Sequence, residues 1–287
     1  MSLSLRLVVL FSFLAVAQAW SPPTYSGYRR IWFSSFVGTP GTPPDSTNWN
    51  IITGDNNYNN ESQTYSSNKV NLRRTSKHTL QLVPRKNVKV AKGWTSARIE
   101  SKYTFTPAVG KITRFESSLR LGGNAAVHKQ SIWPAFWLLG DSCRKGVKWP
   151  GCGEIDIMEN INGQNTGFGS MHCDVSPGGI CNENTGLSST TSLTFYKYQV
   201  WRVEFNRKSS SYKSQYITWY LDGKQFHRVT GAQIGSAAVW KTLCQSPLYT
   251  IFNVAVGGYW PGYPNSQTWG GMGSMMEVGY VAHYVST

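Results

Sequence analysis

The sequence predicts an all-β domain, a sandwich or barrel of antiparallel strands, and three observations carry that expectation. Short runs rich in Val, Ile, Thr, Tyr, Phe and Trp recur along the chain, broken by Gly, Pro, Asn, Asp and Ser, the pattern of strands and turns. No long helical period, heptad or internal repeat interrupts them. The chain has 287 residues and no visible linker, which suits one large unit, and that many strands in one unit favour two large sheets.

The elements follow in chain order. MSLSLRLVVLFSFLAVAQAW has one early arginine, Arg6, an apolar stretch from Leu7 to Val16, and the small-x-small triplet Ala17-Gln18-Ala19. This is the form of a secretory signal peptide over residues 1–19, cut after Ala19, and the apolar stretch is about half of what a membrane span needs. The expected product, 20–287, is a single secreted, extracellular domain with no membrane association. VGTPGTPPDS at 37–46 lies too close to the new N-terminus to divide two domains. KVNLRR (69–74), TLQLVPR (79–85), ITRFESSLRL (112–121) and YQVWRVEFN (198–206) read as strands. QYITWYLDGKQFHRV (215–229) carries Asp222-Gly223 between alternating flanks and reads as a hairpin. AQIGSAAVWKTL (232–243) is the one helical piece, on a connection.

Charge and cysteines bound the function classes. Against 28 Lys and Arg stand 14 Asp and Glu, a net charge of +14. The cations are dispersed and no recognition motif accompanies them, so the reading is a cationic surface that adsorbs to a wall or matrix, with no nucleic-acid partner. Five cysteines in a secreted chain allow disulfides; the close pairs Cys143 with Cys152 and Cys173 with Cys181 are the expected bridges, which leaves Cys244 as a buried thiol. No spacing suggests a zinc site.

In this acid-poor chain, residues 153–160 read GEIDIMEN, with Glu154, Asp156 and Glu159 in a strand-like run. On a regular strand Glu154 and Asp156 share a face and Glu159 points the other way. A β-bulge between Asp156 and Glu159, with Met158 as the displaced neighbour, puts all three on one face and leaves Ile155 and Ile157 for the core. Three carboxylates on one face repel each other, which favours chemistry over structure. Paired carboxylates suit glycoside hydrolysis, one attacking or activating water and the other protonating the leaving oxygen. Asp156, set between them, raises the pKa of the acid by proximity of like charge. Sugar rings pack on aromatics, and Trp133, Trp137 and Trp260 stand beside Pro and Gly in SIWPAFWLLG and GGYWPGYPNSQTWGG. Trp201 and Trp219, in alternating strands, read as core.

These residues, with WTSARIESK, SMHC, FNVAVGGYWPG and SMMEVGYVAHY, resemble glycoside hydrolase family 16 over nearly the whole mature chain, and within it the secreted fungal endo-β-1,3(4)-glucanases or laminarinases. The resemblance implies a β-jelly-roll sandwich of two antiparallel sheets with a concave cleft, a retaining mechanism and a β-glucan substrate. It implies Glu154 as nucleophile, Glu159 as general acid/base and Asp156 as their assisting carboxylate. Trp133 and Trp137 match the aromatic floor, Arg98 and Asn60 match polar contacts on the glycone side, and His172 matches a histidine near the acid/base and leaving sugar. Asn60-Glu61-Ser62 is also a glycosylation sequon, expected to be unused if Asn60 faces the cleft. The resemblance places calcium ligands where this chain has Ser34, Ser35 and Gly279, so no cofactor is expected, with a structural calcium left open only through backbone oxygens. Monomer is the default. The alternatives are a cell-wall transglycosylase or galactan hydrolase on the same fold, or a non-catalytic β-glucan-binding lectin.

Overall fold

The computed structural model of the protein describes residues 20–55 and 58–287. The expected leader, 1–19, lies outside the described residues. Among the described residues two large sheets face each other across a core, and all their pairings are antiparallel. The first sheet runs in the order Lys224–Thr230, Tyr216–Leu221, Gln199–Asn206, Ile112–Leu121, Met276–Ser286, Leu80–Leu82, Leu72–Arg74, and Tyr28–Ser35 also pairs with Met276–Ser286. The second, seven-stranded sheet runs Leu187–Ser192, Thr166–His172, Glu154–Glu159, Ile132–Gly140, Leu248–Val256, Arg98–Phe105, Trp49–Ile52. A small four-stranded sheet, containing Gln63–Tyr65 and Trp94–Ser96 as a parallel pair, is a separate ladder that packs against Leu248–Val256 through Gln63 and Tyr65.

Period-two alternation drives this packing. In Gln199–Asn206 the burial strictly alternates, with Trp201, Val203 and Phe205 inward. Phe136 and Phe252 stack at 4.6 Å from adjacent strands, and Trp201 and Trp219 fill the core as expected. Asp222 and Gly223 both take positive φ and close the hairpin Tyr216–Leu221 to Lys224–Thr230. The expected helix is instead two, Gly231–Ile234 and Ala237–Cys244, because Gly235 enters the left-handed region between them and Ser236 caps the second through the Val239 N–H. Among the described residues no helix is long and apolar enough to cross a membrane.

Cys173 and Cys181 form the expected disulfide. Cys143 and Cys152 do not: both are thiols here, and the Cys143 side chain hydrogen-bonds Cys152, whose thiol burial pushes up. Cys244 is a buried thiol. Of the positions weighed for calcium, Ser34 accepts a hydrogen bond from the Trp49 indole (3.1 Å) and Gly279 lies under the Trp20 ring, where a Cβ would come within 2.6 Å of it.

Candidate active site

Glu154–Glu159 is a central strand of the seven-stranded sheet, between Ile132–Gly140 and Thr166–His172. Its register breaks where the parity argument requires. Asp156 pairs with Ser170 and Glu159 with Phe168, so Ile157 and Met158 together oppose Gly169. Toward the other neighbour Met158 pairs with Phe136 and Ile157 is the extra residue, so the displaced residue on that side is Ile157 rather than Met158. Both side chains are fully buried, as is Ile155. Two successive inward residues bring Glu159 back to the face of Glu154 and Asp156.

Three contacts hold the bulge. The core indole Trp219 donates to the Asp156 carbonyl (2.8 Å), so the second layer grips the acidic strand at the distortion. Gly169, opposite the bulge, has no room for a side chain, since a Cβ would lie 2.7 Å from the Trp219 ring. Trp133 donates its indole N–H to Glu159 Oε1 at 2.9 Å.

The electrostatics follow from burial with too little countercharge. Burial, opposed by His172 but reinforced by Glu159 and Glu183, pushes Glu154 up to about 7. Asp156 is raised well above the usual carboxylate range by burial and by the charges of Glu159, Glu154 and Glu183. Glu159 is raised by burial, with His172 and the Trp133 hydrogen bond pulling the other way. His172 stands in register opposite Glu154, its Nε2 3.4 Å from Asp156 Oδ2 and its Nδ1 2.7 Å from Glu183 Oε2. Burial alone would depress its imidazolium; the Glu183 hydrogen bond and the charges of Glu154, Glu183 and Glu159 outweigh this and raise it to about 9. The site can therefore hold both a protonated and an ionised carboxyl near neutrality, as acid/base chemistry demands.

The other expected residues surround this group at graded distance. Trp137, opposite Asp156 across the strands, donates its indole N–H to Asn253 Oδ1 (2.8 Å). Arg98 lies over the Trp137 ring (5.1 Å) and pairs with Glu100 of its own strand at 2.7 Å. Trp260, about half exposed, meets Trp133 edge-on at 5.3 Å and Phe168 at 5.0 Å. Asn60 is exposed and does not touch the acids; its amide donates to the Tyr263 hydroxyl (2.5 Å), joining its loop to the Trp260 loop. His172 meets the middle carboxylate, Asp156, rather than Glu159 as its near partner.

Sequence reasoning passed over Glu183, Asn253 and Trp149. Asn253 is a polar residue inside the fully buried strand Leu248–Val256, a readable signal. Glu183 follows Cys181 by two residues in a loop and gave no signal beyond that, and Trp149 approaches His172 only in space (5.7 Å).

A family model described as the XgeA-like, catalytic GH16 domain matches residues 45–232, more than half of the chain. The chain belongs to glycoside hydrolase family 16. It is 28% identical over 283 residues to glucan endo-1,3-beta-glucosidase A1 of Niallia circulans, covering 91% of this chain and 38% of that protein. It is 29% identical over 171 residues to the clotting factor G alpha subunit of Tachypleus tridentatus, covering 59% of this chain and 22% of that protein. The chain thus spans well under half the length of these two curated relatives. The crystal structure of an endo-1,3-beta-glucanase from Streptomyces sioyaensis superposes with a TM-score of 0.86 at 31% identity, covering 93% of this chain and 99% of that one. The jelly-roll sandwich expected of the family is the architecture observed. Ligand atoms of Glu154, Asp156 and His172 lie within 4.8 Å of one another, close enough to share a cation, although Glu154 is also one of the two carboxyls that glycoside hydrolysis would use.

Proposed function

We propose that the protein is a secreted, retaining endo-β-glucanase that cleaves internal β-1,3 or mixed β-1,3/1,4 bonds, with 20–287 as one catalytic domain. The observation that carries this reading is the bulge, which places Glu154 and Glu159 on one face around Asp156 beside two indoles. Relatives whose names specify glucan 1,3-linkages support the polymer class.

Motif order supports Glu154 as the nucleophile. It attacks the anomeric carbon as the glycosidic C–O bond breaks, and Glu159 gives its proton to the departing oxygen. Water then displaces Glu154 while Glu159 takes a proton back, closing the cycle without net proton change. In the free cleft the Trp133 N–H favours ionised Glu159. Burial outweighs that contact, and a protonated Glu159 can keep it, with Oε1 accepting from Trp133 while the other oxygen carries the proton. Asp156, raised well above the usual carboxylate range by burial and by the neighbouring acids, favours a proton close to Glu154, which limits the repulsion when Glu154 ionises. Trp133, Trp137 and Trp260 offer ring faces and edges to pyranose rings, with Arg98 held against Trp137 and Asn60 further out in its loop.

The test is a product-resolved digest of laminarin, barley mixed-linkage glucan, agarose and carrageenan by the purified mature protein, with Glu154→Gln alongside. Short β-1,3-linked oligosaccharides from the wild type alone are expected. Binding to glucan by both proteins without soluble product would leave a lectin, and release from agarose alone would leave a galactan hydrolase.

A further inference from the structure

Glu183 has no part in the reaction as derived above, yet it is among the most constrained acids of the chain. Its side chain is completely buried. One oxygen accepts the Cys173 backbone N–H at 2.8 Å, and the other faces His172 Nδ1 at 2.7 Å. The backbone around it is fixed twice, by the Cys173–Cys181 disulfide and by reciprocal Gly178–Glu183 hydrogen bonds of 2.6 Å. The imidazole it holds is confined as well. Gly186, at φ +73°, lies so close that a Cβ would stand 2.7 Å from His172 Cε1, and the Trp149 ring stands 5.7 Å from the imidazole.

We propose that Glu183 is a positioning residue: by accepting the Nδ1 proton of His172 it turns the Nε2 edge of the ring toward Asp156 Oδ2, a buried oxygen 3.4 Å away that accepts no hydrogen bond. The proposal rests on the glycosidase reading. An ionised carboxylate offers only acceptors, so His172 must keep its proton on Nδ1. Nε2 then faces Asp156 in one of two balanced states. When ring and carboxyl close to hydrogen-bond distance, either Nε2–H⁺ donates to the carboxylate or neutral Nε2 accepts from the carboxylic acid, the two states differing by one proton transfer within the pair. The groups facing His172 are Glu154, Asp156 and Glu159 from the acidic strand and Glu183 from the loop, and Arg98 reaches the cluster through Glu154.

The experiment compares wild type with Glu183→Gln by laminarin kinetics across pH and by ¹⁵N NMR of His172. The glutamine keeps the Cys173 contact but turns an amide donor toward Nδ1, which forces the proton to Nε2. Expected is a folded variant whose kcat falls roughly tenfold to a hundredfold with KM near wild type, the size of loss when a partner that orients an imidazole is removed. Its His172 midpoint is expected to drop by about one pH unit or more, and the acid limb of its pH profile to shift. A folded variant with unchanged kcat, pH profile and His172 midpoint overturns the proposal. If the variant does not fold, the wild-type spectrum decides: Nδ1 protonated throughout the titration supports it, and a neutral Nε2–H tautomer overturns it. Inactive wild type on every glucan, with His172 still answering to Glu183, would instead overturn the glucanase reading.

Discussion

Buried glutamates occur on both large sheets, and they are treated in opposite ways. On the first sheet Glu116 is fully buried and receives Arg202 (2.8 Å), the Tyr25 hydroxyl (3.0 Å) and the Tyr280 hydroxyl (3.0 Å). Further along the same strand pair Glu277 takes Arg120 (2.6 Å) and the Thr79 hydroxyl, and these outweigh burial to hold its carboxyl below the usual range. Glu204 pairs with Arg114 at 2.9 Å. On the second sheet three carboxylates share one strand face, and the cations that reach them are His172 and, more remotely, Arg98. Burial is common to both regions; what separates them is the supply of countercharge. The acids left short of it are the ones poised to trade protons.

The sharpest way to break this contrast is to neutralise one acid from each region. Glu154→Gln is expected to lose nearly all turnover of laminarin while unfolding at or above the wild-type temperature, because it removes a repelling charge; Glu159→Gln should lose roughly 10²–10⁴-fold in kcat. Reducing-sugar assays and calorimetry on the same preparations would check both. Glu116→Gln should do the reverse. It leaves Arg202 with Glu204 at 3.7 Å as its carboxylate partner and is expected to cost about 2 kcal/mol in urea unfolding, as a lost hydrogen bond to a charged group does, while the folded fraction turns over normally.

Titration of stability distinguishes the regions by sign. Glu154 is raised from 4.5 to about 7, so its contribution is fully present below pH 4.5 and is lost as pH rises toward 7. Glu277 is lowered, so its contribution is present above 4.5 and is lost as pH falls through its folded value. Removing Glu154 should therefore flatten the decline in melting temperature between pH 4.5 and 7, and removing Glu277 should flatten the loss below 4.5. The smallest effect lies at the edge of the cleft. Trp260→Ala should raise KM by up to about tenfold with kcat little changed, since an exposed aromatic contact is worth roughly 0.5–1.5 kcal/mol.

Much of this contrast is legible in the amino-acid sequence. Alternation in Gln199–Asn206 and the Asp222-Gly223 turn specify local structure directly, and the mismatch in EIDIME demanded a bulge because side chains on a strand alternate. The tryptophans sorted by context, with Trp201 and Trp219 inside and Trp133, Trp137 and Trp260 on the site side. What stayed hidden depends on contacts between segments. The Cys143–Cys152 neighbourhood fits either thiols or a bridge from spacing alone. His172 was expected near Glu159, but the loop carrying Glu183 and the register opposite Glu154 turn it to Asp156. Glu277 and Glu116 look no different from Glu154 in the sequence, and only the arginines and tyrosines folded onto them reveal their structural role.

The division of labour within EIDIME is the central claim, and trapping the intermediate tests it most directly. A laminaribioside with fluorine at C2 of the reacting sugar and a good leaving group would be incubated with the mature protein, followed by peptide mass spectrometry. One glycosyl adduct on Glu154, with the β-anomer released first from native substrate, is the predicted result. An adduct on Glu159, or no adduct together with release of the α-anomer, would contradict it.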